Sequence, residues 1–68
     1  MDPYELPMNV RIAFNDLRTV RAMTASAILT ISACGNLCRE MKVAGFTNDD
    51  AAMLACKAVA LGNQDAGR

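Results

Sequence analysis

Apolar residues recur with the period of an α-helix from Val10 to Met41, so that they share one broad helical face. The stripe consists of Val10, Phe14, Leu17, Val20, Ala27, Ile28, Ile31, Cys34, Cys38 and Met41. No proline follows Pro7 in this stretch, and Gly35 is its weakest position because glycine disfavours helix interiors. The pattern predicts one long helix over about residues 8–43.

The residues ahead of Pro7 are predicted to form an N-terminal arm, residues 1–6. Asp2 suits a helix N-cap, and Glu5 stands three residues on, as in a capping box. Pro7 ends that turn, because proline has no N–H group and clashes with the preceding turn.

A second helix is predicted after a short turn. Gly45 suits the residue that follows a helix, and Thr47 with Asp50 forms a helix-start signal. The second helix is expected over about residues 48–61, followed by a frayed tail, residues 62–68.

The connection between the two helices decides the fold class. A turn of three or four residues folds the second helix back antiparallel to the first, with Gly35 expected opposite Ala55 at a close crossing. The chain is therefore predicted to be a single all-α domain, a helical hairpin. Its turn segment AGFTNDDAA resembles the turns of small helical proteins from phages and bacterial mobile elements, which implies a small accessory protein that acts by binding.

The two predicted helices differ in length, roughly 54 Å against roughly 21 Å. The N-terminal half of the first helix would then lack a partner within the chain, and exposing its apolar side chains is costly. We expect two hairpins to pair as a homodimeric four-helix bundle, or as a larger homo-oligomer. The predicted interface consists of Val10, Phe14, Leu17, Val20, Met23, Ala27 and Ile28.

The stretch between Arg21 and Arg39 contains no charged residue, which is typical of a helix buried on more than one side. As a membrane span it would be about 26 Å long, short of the roughly 30 Å hydrocarbon core. Five hydroxyl or amide side chains dilute it further. A buried helix that does not enter a membrane is the better interpretation.

Composition narrows the function classes. In a chain of 68 residues, 53% are apolar, which favours association. Seven basic residues balance seven acidic ones, so the basic field of a nucleic-acid-binding protein is missing. Three cysteines, and an acidic N-terminus unlike a secretory signal, indicate a reducing compartment, the cytoplasm.

The candidate binding residues lie near the N-terminus. Arg11, Asn15 and Arg18 share one face of the first helix with Arg21 at its edge, and none has an acidic residue three or four positions away on that face. With Tyr4, this arginine ridge could bind a phosphate, a carboxylate or an acidic protein, or it could be a solvated polar face.

Two further features have alternative interpretations. Asp16 lies on the apolar stripe, where it either pairs with Arg18 or Arg21 of a second subunit or sits at the rim of the interface. Cys34, Cys38 and Cys56 could converge on a metal ion. However, a structural zinc site has four ligands and the chain has no histidine, so small buried apolar thiols are expected instead.

No enzymatic activity and no cofactor are expected, because histidine and paired buried carboxylates are missing from the sequence. The predicted function is that of a small homo-oligomeric protein that binds another protein, as an inhibitor or adaptor. The alternative is an oligomer that sequesters an anionic small molecule or nucleotide between its subunits.

Overall fold

The computed structural model describes residues 5–67, which form three α-helices. Helix α1 spans Met8–Met23, α2 spans Ala27–Val43 and α3 spans Asn48–Ala66. No strand occurs in this range, so the prediction of an all-α chain is confirmed. Helix α1 packs against both α2 and α3, and the described chain measures 33 × 23 × 19 Å along its principal axes.

The prediction of one long helix over residues 8–43 is wrong, because the chain leaves the helix between Met23 and Ala27. Thr24 is extended, with φ −148° and ψ 148°. Its hydroxyl accepts a hydrogen bond from the Ser26 backbone N–H at 3.0 Å, and the Ser26 hydroxyl accepts one from Leu29 N–H at 3.4 Å. These two side chains stabilise a helix end and a helix start without any proline or glycine.

The break folds α1 back on α2, so the bundle core forms within one chain. An Asn9 Nδ2–Glu40 Oε2 hydrogen bond of 2.7 Å shows the antiparallel register of these two helices. The core is built from apolar side chains of all three helices and the preceding segment: Leu6, Val10, Ala13, Phe14, Leu17, Ala33, Leu37, Met41, Ala51, Leu54, Ala55 and Ala58.

Three residues of the predicted dimer interface belong to this core instead. Val10, Phe14 and Leu17 are almost fully buried inside the chain. Their partners are α2 and α3 rather than a second subunit. Leu6, predicted to lie in the arm, is also buried in this core.

The turn between α2 and α3 forms as the sequence predicts. Gly45 takes the left-handed conformation, with φ +95°. Its N–H donates to the Lys42 carbonyl and the Phe46 N–H donates to the Met41 carbonyl, which is the Schellman pattern of a helix end. The Thr47 hydroxyl then accepts from the Asp50 N–H at 3.1 Å and caps α3.

The prediction that the last helix ends at Gly62 is wrong, because α3 continues to Ala66. Gly62 is buried in the contact between α3 and α1 instead. A Cβ atom at this position would lie 2.6 Å from the Arg18 carbonyl oxygen and 2.7 Å from the Arg21 Cβ. Glycine is thus required here by the close approach of two helices, not by a helix end.

Candidate functional site

The outward side of α2 is an uncharged apolar surface that the rest of the chain leaves open. Ile28 and Ile31 are 80% and 69% exposed there, in line with the small residues Ser32 and Gly35. The core side of the same helix carries Ala33, Leu37 and Met41. We call Ile28, Ile31, Ser32 and Gly35 the outer face of α2.

Gly35 has no role inside the chain that would explain a glycine. It is exposed in the middle of α2, and a Cβ atom added there meets nothing within 4 Å. The predicted close crossing with Ala55 is therefore wrong. Glycine at such a position lowers helix stability by about 1 kcal/mol relative to alanine. The described chain offers no contact that compensates for this loss.

A groove runs between α1 and α2 beside the outer face. Its volume is about 390 Å³, and it is lined by Asp16, Val20, Leu29, Ser32, Ala33, Asn36 and Arg39. Leu29 is 53% exposed there. The groove thus combines exposed apolar surface with one acidic residue on α1 and one basic residue on α2.

The two charged residues of the groove are not used to hold the fold together. Across residues 5–67, the ion pair found within 4 Å joins Arg18 to Asp65 and involves neither Asp16 nor Arg39. Arg39 Nη2 donates to the Asn36 side-chain oxygen at 3.2 Å, and the Asp16 side chain is exposed. Asp16 therefore lies outside the buried core, and its position relative to a second subunit stays a prediction.

The remaining residues of the predicted interface lie partly on this surface. Met23 is 81% exposed at the end of α1, and Ala27 is exposed at the start of α2. Val20 is half-buried and lines the groove. Together with Ile28, these residues are accessible to a partner, whereas Val10, Phe14 and Leu17 are buried.

The arginine ridge is largely engaged within the chain. Arg18 Nε and Nη2 donate to the two carboxylate oxygens of Asp65 at 2.6 and 3.0 Å. Arg21 Nε donates to the side-chain oxygen of Asn63 at 2.7 Å. The hydrogen bonds to Asp65 and the negative charge of that carboxylate raise the pKa of the Arg18 guanidinium above its ordinary value. The ridge thus ties α1 to the last turns of α3.

The other predicted ligand residues do not form a site with these two arginines. Arg11 Nη2 approaches the Met8 sulfur at 3.6 Å, and its buried Nε has no hydrogen-bond partner. Asn15 is exposed. Tyr4 lies outside the described residues. The expectation that Arg18 or Arg21 pairs with Asp16 of a second subunit is also unsupported, because both side chains turn towards α3.

The three cysteines come together where α2 meets α3. Burial raises the pKa of the Cys34 thiol, and the neighbouring thiols of Cys38 and Cys56 raise it further. Cys34 and Cys56 line a second, open groove of about 310 Å³ with Val59 and Asn63. Among residues 5–67, no group of three or more cysteine or carboxylate side chains is arranged to hold a metal ion.

Sequence reasoning missed Leu29 and Arg39 as members of the groove. Part of their signal was present: once Ala33, Leu37 and Met41 define the core side of α2, helical periodicity places Arg39 away from that side and Leu29 at its edge, one turn before Ala33. The prediction of one long helix obscured this pattern, because it assigned the apolar residues of α1 and α2 to a single continuous stripe.

No helix in the described range combines the length and the apolar character that crossing a membrane requires. Comparison with protein-family models, with curated proteins and with solved structures finds no match for this chain.

Proposed function

We propose that this chain is a small interaction protein that assembles with itself through the outer face of α2 and binds another protein, as an inhibitor or adaptor. The single observation that carries the proposal is the exposure of Ile28 and Ile31 on a helix face without charge. The hydrophobic core of the chain is formed by other residues, so Ile28 and Ile31 are not part of it. Exposed apolar surface of this kind typically marks a binding site.

The surface around the outer face supports the same function. Met23 and Leu29 extend the apolar area across the break between α1 and α2. Charged groups stand at its edge rather than in its centre, with Arg39 and Lys42 after the last apolar turn. An apolar centre with a polar rim is the usual anatomy of a protein–protein interface. We expect binding without catalysis, and the phage or mobile-element origin suggested by the turn stays a prediction.

The alternative function, sequestration of an anionic small molecule, has less support. It relied on a free arginine ridge, but Arg18 and Arg21 hydrogen-bond to Asp65 and Asn63. An anion would have to compete with a two-point carboxylate contact at Arg18. Arg11 alone offers too few donors for tight binding of a nucleotide.

Sedimentation velocity over a range of about 1 µM to about 1 mM tests the proposal. We expect the mass to rise with concentration, and Ile28→Glu or Ile31→Glu to abolish the rise by placing a charge in the apolar centre. Met53→Glu is the matched control, because Met53 is 62% exposed but lies on α3. A monomeric wild-type chain at all concentrations, or an equal loss in the control, would contradict self-assembly through this face.

A further inference from the structure

We infer that the occupant of the outer face is a second copy of this chain, placed by a two-fold axis beside Gly35 so that Asp16 of each copy meets Arg39 of the other. The inference rests on the proposed function and specifies its geometry. It depends on three observations: an unexplained glycine, an uncharged face, and an unpaired acid and base on one groove.

Gly35 marks the place where the second copy approaches most closely. Its Cα is exposed and nothing within the chain comes within 4 Å of a Cβ at this position. Small residues allow two helix backbones to approach closely, as Gly62 shows within this chain against α1. With an axis close to Gly35, Ile31 of each copy lies to one side of the crossing, level with about residue 41 of the other copy.

The charges around the groove favour a second copy over an unrelated partner. The antiparallel register shown by the Asn9–Glu40 hydrogen bond places Asp16 level with about residue 33 of α2. Arg39 lies further along α2, on the other side of Gly35. A two-fold axis near residue 36 brings the level of residue 33 in one copy opposite the level of residue 39 in the other. Asp16 of each copy therefore lies level with Arg39 of its partner.

The size of the surface indicates a weak dimer. Helix α2 is about 26 Å long, and with the rim of α1 it forms a strip about 20 Å wide, or on the order of 500 Å² per copy. Stable interfaces of standard size bury about 800 Å² per partner. We therefore expect a dissociation constant in the micromolar range rather than a permanent assembly.

Charge exchange tests the pairing directly. In homodimers of Asp16→Arg, or of Arg39→Asp, like charges meet twice, so each variant should dimerise about tenfold more weakly than the wild type. A mixture of the two variants restores both opposite-charge pairs. Sedimentation velocity with one variant fluorescently labelled should therefore show a mixed dimer that is tighter than either homodimer.

Gly35→Leu tests the crossing point. It should weaken dimerisation about tenfold or more by separating the helices, while circular dichroism shows a folded chain. Ala52→Leu is the control, because Ala52 is also exposed in a helix but lies on α3. If the wild type dimerises and Gly35→Leu behaves as the control, the crossing at Gly35 is overturned although self-assembly stands. If Ile28→Glu also leaves the dimer intact, the proposed function fails with it.

Discussion

Gly62 of α3 lies against the backbone of Arg18 in α1, so closely that a Cβ on Gly62 would be 2.6 Å from the Arg18 carbonyl oxygen. The same crossing carries the bidentate contact between the Arg18 guanidinium and the Asp65 carboxylate. One turn of α3 therefore provides both the close approach and the charged pair that hold α1 in place. Close helix packing at Gly62 and the ion pair at Asp65 thus stabilise the same contact between α1 and α3.

Gly62→Ala should destabilise the fold by about 1–3 kcal/mol, because the atoms it meets are backbone and Cβ atoms that cannot move away cheaply. The gain in helix propensity, about 1 kcal/mol, does not offset this clash. Urea unfolding measures the difference.

Gly35→Ala is the matched control for that prediction. It makes the same chemical change in a helix, but into open space. At concentrations too low for dimerisation, it should stabilise the chain by up to about 1 kcal/mol. Two variants that changed stability in the same direction would contradict the different roles assigned to these glycines.

Asp65→Asn should lower the urea midpoint, because it removes the charge that Arg18 contacts at two points. The loss should shrink when NaCl is raised from about 0.1 M to about 1 M, since salt screens partly exposed pairs. Arg18→Lys separates charge from geometry: it keeps the positive charge but cannot bind both carboxylate oxygens in the same way. An effect of Asp65→Asn that did not depend on salt would argue against an electrostatic origin.

Stability should fall as the pH rises above about 9, through the Cys34 thiol. Its folded-state pKa is raised from an ordinary value of 9.0, so the folded chain holds its proton more tightly than the unfolded chain. The stabilising contribution is complete below pH 9.0 and is lost as pH rises through the folded-state pKa. Unfolding of Cys34→Ala between pH 8 and pH 10 should show a shallower decline, whereas Cys56→Ala, at an exposed cysteine, should follow the wild type more closely.

Ser26→Ala should destabilise the fold by about 1 kcal/mol, because it removes the side-chain oxygen that accepts from the Leu29 N–H at the start of α2. Ser26→Asn keeps a capping oxygen and should retain most of the stability. Thermal unfolding followed by circular dichroism compares the two variants. Equal stability of Ser26→Ala and the wild type would show that the cap contributes little to separating α1 from α2.

The turn between α2 and α3 could be predicted from the sequence because its signals are local. Gly45 and Thr47 act on backbone groups within a few residues, so their roles do not depend on the rest of the fold. The break at Thr24–Ser26 uses local hydrogen bonds too. It was missed because serine and threonine are also tolerated inside helices, and the apolar stripe continues across it.

The partners of the arginines could not be predicted, because they are distant in sequence. Asp65 lies 47 residues after Arg18, and only the packing of α1 on α3 brings them together. The role of Gly62 could not be predicted for the same reason: a glycine near a helix end is typical of a cap, and its contact with α1 exists only in the folded chain. The sequence predicts correctly that Val10, Phe14 and Leu17 need a partner, but their partners are the chain's own α2 and α3.

The contact between Arg18 and Asp65 also has a consequence for the order in which the chain assembles. The connections before α2 and before α3 are short, so contacts between neighbouring helices close small loops. The contact between Arg18 and Asp65 closes a loop of 47 residues, at a larger cost in entropy. We expect docking of α1 on α3 to be the slow step of folding, and Gly62→Ala to slow folding as well as to destabilise the folded state.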